Sequence, residues 1–433
     1  MEKKQVLSFD SSPMVVMQYA VVFICFLMNT LDGMDVMIIS YAAPAIAKAW
    51  SISPASLGIV FSAGLAGMTV GTFFIAPLAD TIGRKSIILI SALLMGTCIY
   101  LTSYAEGVTS LLIYRFLSGL GIGSMLASTA SLTSEYTPSS SRNFWVSFVL
   151  AGYPVGAVFS GMAAANIIPN DGWEQMFRVA GLITLLALPL IYFLLAESVS
   201  FYVTRQPADA LMKVNRILKR FKLSELDALP ALNDGKKSKL PISEILKSAY
   251  LKPSIQLWLA LFMAFGAMYY LVSWIPKLAT DAGLSMDLAI YAGTVFNVGA
   301  FIGILTQGYF SSKFGLKKTI GVFLVCTGIL MACFGLFVGS DWLLLVITLL
   351  GFGIQGGFVG LYAVAARLYP TAFRTTGVGW AMGAGRFGGI IGPFVGGLLM
   401  ASGFTLATSF LCFAAPALAA GIITWRLKSD AIH

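Results

Sequence analysis

Twelve apolar runs dominate the chain, each close to the roughly 20 residues that a helix needs to cross a ~30 Å hydrocarbon layer. They fall near 17–44, 55–78, 87–105, 109–134, 143–165, 176–195, 254–275, 287–310, 319–339, 342–366, 376–400 and 404–425. Hydrophobic residues fill 58% of the 433 positions and charged residues only 11%, against about 25% charged in ordinary soluble domains. The chain reads as an all-α membrane protein with twelve transmembrane helices. One long polar stretch, 196–253, divides them six and six. Three units are expected: an N-terminal six-helix bundle over 1–195, a cytoplasmic linker over 196–253 and a C-terminal bundle over 254–433.

The net charge of +9 invites a nucleic-acid reading, but its distribution excludes one. With both termini placed in the cytoplasm, 23 of the 28 Lys and Arg lie inside, three lie outside (Lys48, Arg178, Lys277), and Arg115 and Arg386 lie within spans. That is the positive-inside bias of an inner-membrane, multi-pass protein. A run as long as 17–44 exceeds the apolar core of a secretory signal, so the N-terminus is expected to stay. All five Cys fall inside apolar runs and the single His is His433. Neither disulfides, a metal cluster nor histidine proton handling is expected.

Ala76 to Lys85 forms a short basic turn between two apolar runs, and a degraded copy stands at Gly308 to Lys317, 232 residues later. Gly83 answers Gly315 and Lys85 answers Lys317. At the same offset Pro44 answers Pro276, Gly119 answers Gly351, Gly121 answers Gly353, Pro138 answers Pro370, Arg142 answers Arg374 and Gly156 answers Gly388. A constant register over this length implies two duplicated, pseudo-symmetric halves.

Within the spans the charged residues are Asp32, Asp35, Arg115 and Arg386. Ionisable groups in membrane helices are costly and mark functional positions. Asp32 and Asp35 are three apart and share a helical face. Arg115 lies about 9 Å and Asp35 ~13 Å inside the outer ends of their helices, depths that allow an ion pair. Arg386 lies ~15 Å into its span, near the midplane where transporter sites form. Tyr153, Tyr269, Tyr270, Trp274, Asn297, Gln355, Tyr362 and Trp380 could stack on a ligand or hydrogen-bond to it. No strand precedes the glycines after Arg115, so a nucleotide loop is excluded. No nucleophile, metal cluster or cofactor loop suggests an enzyme.

Asp80, Gly83, Arg84 and Lys85 resemble the loop between spans two and three of the major facilitator superfamily, with Ala76 and Thr81 departing from its usual form. Arg115-Phe-Leu-Ser-Gly119-Leu-Gly121 is similar to the superfamily's fourth-span motif, and Glu135-Tyr-Thr-Pro138-Ser-Ser-Ser-Arg142 to its E-x-x-P-x-x-x-R signature. Ala196-Glu197-Ser198 resembles the P-E-S that closes this half in sugar and organic-anion porters. The resemblance implies the twelve-helix, two-bundle major facilitator fold. It also suggests a cytoplasmic charge network of Asp80, Arg84, Lys85, Glu135, Arg142 and Arg374 latching the halves together.

Asp32-Gly33-Met-Asp35, followed by Ala43-Pro44, resembles the aromatic acid:proton symporters within the superfamily. This resemblance implies a monomeric, proton-coupled importer of small aromatic carboxylates, with Asp32, Asp35 and Arg115 in proton coupling and Arg386 on the substrate. The partners implied are the carboxylate, protons and the bilayer, with no cofactor. A sugar or multidrug transporter of the superfamily, or a non-transporting membrane sensor, are the alternative readings. Between the halves, Leu211, Val214, Ile217, Leu218 and Phe221 alternate with Lys213, Arg216, Lys219 and Arg220 at helical spacing. That pattern reads as a basic amphipathic helix on the inner leaflet.

Overall fold

The computed structural model describes residues 14–230, 250–369 and 374–427, with the side chains of Asn143 and residues 374–376 left aside. Pro370, Lys428, His433 and the basic N-terminus lie outside the described residues, as does the side chain of Arg374. Twelve hydrophobic helical segments follow one another. They are α1 (Val16–Trp50), α2 (Pro54–Val70), α3 (Arg84–Thr102), α4 (Val108–Tyr136), α5 (Arg142–Leu150 continuing as Gly152–Asp171), α6 (Trp173–Leu194), α7 (Leu251–Asp281), α8 (Met286–Phe314), α9 (Leu316–Ala332), α10 (Leu343–Leu368), α11 (Arg374–Ala401) and α12 (Leu406–Arg426). No strand occurs among the described residues. Eleven segments meet the length of a full span, α2 by running on through its π and 3-10 turns to Ile82. The remaining one, α9, has 17 residues and runs on into a 3-10 turn at Phe334–Phe337, which brings it within the spanning range.

Local sequence explains the helix ends. Pro77 cannot donate to the preceding turn, and α2 gives way there to a π turn at Gly71–Ile75 and a 3-10 turn at Ala76–Leu78, the usual way a helix absorbs a proline. Gly83 (φ 100°) and its repeat equivalent Gly315 (φ 89°) begin α3 and α9 in a backbone region that side chains avoid.

Helix pairing follows the repeat. In the first half α1 packs on α5, α2 on α4 and α3 on α6; in the second, α7 packs on α11, α8 on α10 and α9 on α12. The halves meet along α2–α11 and the equivalent α8–α5, with α1 against α7 between them. Glycine sets the closeness of these contacts. A Cβ on Gly67, Gly71 or Gly119 would run into the backbone of Phe116, Leu120 or Gly64 on the facing helix. Their equivalents Gly299, Gly303 and Gly351 face the backbones of Thr348, Phe352 and Phe296 in the same way. Without a hydrophobic force between helices in lipid, such close backbone approach is a main source of cohesion.

The linker helix Ala210–Arg220 differs from the expectation. Its apolar residues Val214, Ile217, Leu218 and Phe221 are buried, and Phe221 stacks on Tyr136 with ring centroids 4.8 Å apart. The apolar face therefore lies on the protein and not in the leaflet, because the ends of α4 and α6 offer it a packed surface.

Candidate functional site

Asp35 is completely buried, and so is the guanidinium it meets. Arg115 Nη1 donates to Asp35 Oδ1 at 2.5 Å, Arg115 Nη2 to the Asp35 carbonyl at 3.2 Å, and Ser118 Oγ to Asp35 Oδ2 at 3.1 Å. Ser118 was not singled out from the sequence, though it stands three residues from Arg115 and so shares its face. One turn below, Asp32 is buried with Oδ1 lacking any hydrogen bond among the described residues.

Arg386 makes no ion pair among the described residues. It lies within electrostatic reach of Asp32, Tyr269 and Tyr362. Tyr153, across the chain on α5, is within reach of Asp32, Asp35 and Tyr269, and its buried hydroxyl has no hydrogen-bond partner among the described residues. Tyr362 exposes 40% of its surface while packing edge-on against Phe358, as a residue lining the space between the halves does. A cluster of one guanidinium, one unpaired carboxyl and three phenols thus forms near the middle of α1, α5, α7, α10 and α11. Asn297 is fully buried on α8, donating to the Gly293 carbonyl at 2.9 Å, with its Oδ1 free of partners among the described residues. Gln355 is buried within α10.

Three of the aromatic candidates do not join the cluster. Tyr270 stacks on Phe413 with centroids 3.8 Å apart and meets Phe410 edge-on. It faces α12, because it stands about 100° around α7 from Tyr269. Trp380 stands about 120° around α11 from Arg386; it is half exposed and stacks on Trp258, as an interfacial anchor would. Trp274 belongs instead to a closure between the halves on the side away from the linker. Its Nε1 donates to the Pro393 carbonyl at 3.0 Å, and its ring meets Phe61 edge-on at 5.1 Å.

That closure is pseudo-symmetric and was not foreseen. Ser40 Oγ donates to the carbonyls of Val272, its own repeat equivalent, and Ser273, both at 2.7 Å. Contact between equivalent residues places the pseudo-twofold axis at this point. Ser62 Oγ donates to the Ile390 carbonyl at 2.6 Å across α2–α11. Its equivalent Thr294 faces Gly161 across α8–α5. A small cavity of about 20 Å³ is bounded by Phe61, Arg115, Tyr269 and Ser273.

On the linker side the charged groups of the first half meet one another. Arg84 forms an ion pair with Glu135, stands 3.9 Å from the exposed Asp80, and donates to Ser198 Oγ at 3.2 Å. Ser198 in turn donates to Glu135 Oε2 at 2.7 Å. Glu197 Oε1 accepts from the backbone N–H groups of Arg84, Lys85 and Ser198 at 2.8, 3.0 and 2.8 Å, capping the start of α3. Arg142 enters no ion pair among the described residues, and its Nε is unpartnered. Among the described residues Arg84, Glu135 and Glu197 form a clasp between α3, α4 and the end of α6; the side chain of Arg374, the second-half member of the expected latch, lies outside the described residues. The Ala196-Glu197-Ser198 sequence carried the signal for Glu197, but its role needed the fold.

The sequence matches the profile described as Major Facilitator Superfamily over residues 25–309 and 278–431. The 4-hydroxybenzoate transporter PcaK of Pseudomonas aeruginosa is 32% identical over 420 residues, covering 94% of this chain and 92% of that protein. The gallate transporter of Pseudomonas putida is 30% identical, covering 95% and 92%, and the benzoate transport protein of Acinetobacter baylyi 28%, covering 97% and 91%. Among solved structures, a D-xylose-proton symporter superposes with a TM-score of 0.75 at 17% identity, covering 95% of this chain and 98% of that one. With paired six-helix halves, glycine-seamed repeats and a profile match along nearly its whole length, the chain belongs to the major facilitator superfamily.

Proposed function

We propose that the chain is a proton-coupled symporter that imports small aromatic carboxylates by alternating access, with both termini cytoplasmic, acting as a monomer and not as an enzyme. The observation that carries this reading is the contrast between the two arginines within the spans, Arg115 buried and Arg386 only partly so. Arg115 is neutralised by Asp35, whereas Arg386 faces the central cluster with no ion pair to a carboxylate among the described residues. An unpaired guanidinium within the membrane is expensive, and a bidentate carboxylate ligand satisfies its planar donors. Tyr153, Tyr269 and Tyr362 surround that position with rings suited to an aromatic ligand. The relatives' names, transporters of 4-hydroxybenzoate, gallate and benzoate, support the same class.

Asp35 is the proton carrier in this reading. Protonation removes its charge, loosens the Arg115 pair and, through the cavity at Phe61 and Ser273, frees the far-side closure. Asp32, one turn away, couples the ligand at Arg386 to the same helix. The two six-helix halves, 1–195 and 254–433, rock about the 40/272 contact, while the Arg84–Glu135–Glu197 clasp stiffens the first half. The test is uptake of labelled 4-hydroxybenzoate, benzoate and a neutral sugar into proteoliposomes with an imposed pH gradient. Gradient-dependent accumulation of the carboxylates alone is expected. Accumulation of sugar, or carboxylate binding without accumulation, would replace this reading with a sugar porter or a sensor.

A further inference from the structure

Basic groups gather at the linker-side end of α6 for which the transport path has no use. Lys85 Nζ donates to the Tyr192 carbonyl at 2.6 Å and lies 5.3 Å from the centre of that ring. Arg220 Nη2 donates to the carbonyl of the next residue, Phe193, at 3.3 Å and lies 4.0 Å from Met17 Sδ. Two cations therefore converge on adjacent carbonyls of one helix end. They lie within electrostatic reach of each other, and the carboxylate that faces them is Glu197, which already accepts three backbone N–H groups. Arg220 is exposed and has further donors to offer, and Arg216 and Lys219 continue the basic edge beside it.

The surroundings select the kind of anion. Immediately beside the cations Tyr192 and Phe193 expose 60% and 68% of their surface, and Val16, next to Met17, exposes 84%. These are lipid-facing aromatic and aliphatic groups at the end of a spanning helix, the level at which phospholipid phosphates lie. The basic edge is also held in place, since the opposite face of its helix is buried on the protein through Val214, Ile217, Leu218 and Phe221.

We propose that the crevice between the end of α6, the start of α3 and the helix Ala210–Arg220 binds the phosphate of an anionic phospholipid, with Lys85 and Arg220 as its ligands and the acyl chains along Tyr192 and Phe193. A bound lipid relieves the repulsion between the two cations and ties the linker to the bilayer. The site is independent of the substrate carried.

The experiment is native mass spectrometry of the purified full chain titrated with phosphatidylglycerol, phosphatidylcholine of the same chain length, or inorganic phosphate. Phosphatidylglycerol should be retained preferentially. Arg220→Gln should weaken its retention about fivefold, the ratio equivalent to ~1 kcal/mol per basic residue near a membrane surface. Arg220→Lys should keep most of it, and Lys313→Gln on the other half should leave it unchanged. Equal retention of phosphatidylcholine by the wild-type chain, or undiminished phosphatidylglycerol binding in Arg220→Gln, would overturn the proposal. Inorganic phosphate displacing the lipid at equal concentration would overturn it as well, by assigning the site to a free anion. Should Arg220→Gln not fold, the wild-type headgroup comparison and Arg220→Lys still decide the matter.

Discussion

Replacing Arg386 probes the proposed site directly, because a binding role and a structural one predict different outcomes. Arg386 forms no ion pair among the described residues, and a Cβ on neighbouring Gly385 or Gly389 would meet only the rings of Phe265 and Tyr269. Arg386→Ala therefore breaks no intramolecular salt bridge and should leave thermal unfolding of the ligand-free protein within a few degrees of the wild type. Ligand affinity should change far more. Loss of a charged hydrogen-bonded contact costs about 1.5–3 kcal/mol, which is about 10- to 150-fold in Kd. Arg386→Lys keeps the charge but not the two-pronged geometry, so it should fall between wild type and Arg386→Ala. Isothermal titration of 4-hydroxybenzoate into the carrier in nanodiscs reads the affinity, and a melting curve on the same sample reads the fold. Wild-type affinity in Arg386→Ala would refute the reasoning, as would an affinity loss that merely tracks a collapse in melting temperature.

Other outcomes test the remaining parts. Asp35→Asn should abolish accumulation against a concentration gradient while retaining counterflow exchange in proteoliposomes; full pH-driven accumulation in that variant contradicts Asp35 as proton carrier. Gly119→Ala places a methyl group against the backbone of Gly64 and should cost roughly 1–3 kcal/mol by overpacking, seen as a lower melting temperature. Gly379→Ala, inside α11, whose added Cβ meets nothing within 4 Å, is the control without a packing cost. Ser62→Ala removes the 2.6 Å bond to the Ile390 carbonyl and should raise the population open on the far side, read as faster labelling of a cysteine placed at Phe61. Unchanged labelling would mean that the closure does not depend on this bond.

The length and number of the apolar runs and the 232-residue repeat sufficed for the two-bundle architecture, because lipid admits few ways to satisfy a spanning backbone and duplication leaves its register in Gly and Pro positions. The charges within the spans were legible for the same reason: Asp32, Asp35, Arg115 and Arg386 stand out where charge is expensive. The sequence also contained the glycines that seam α2 to α4 and α8 to α10, though not which helix each one faces.

What only the tertiary structure decided was direction around each helix. Tyr269 and Tyr270 are neighbours in sequence, yet one joins the central cluster and the other stacks on Phe413 of α12. Trp274 looked like a ligand ring and is engaged by the Pro393 carbonyl in the far-side closure. Glu197 appeared only as part of a motif, and three backbone N–H groups from two segments turn it into a clasp. In a soluble helix the polar face points to water and reveals its rotation, but a helix apolar on all sides carries no such mark. Its facing is set by which neighbour it touches, and that depends on contacts between residues far apart in the chain.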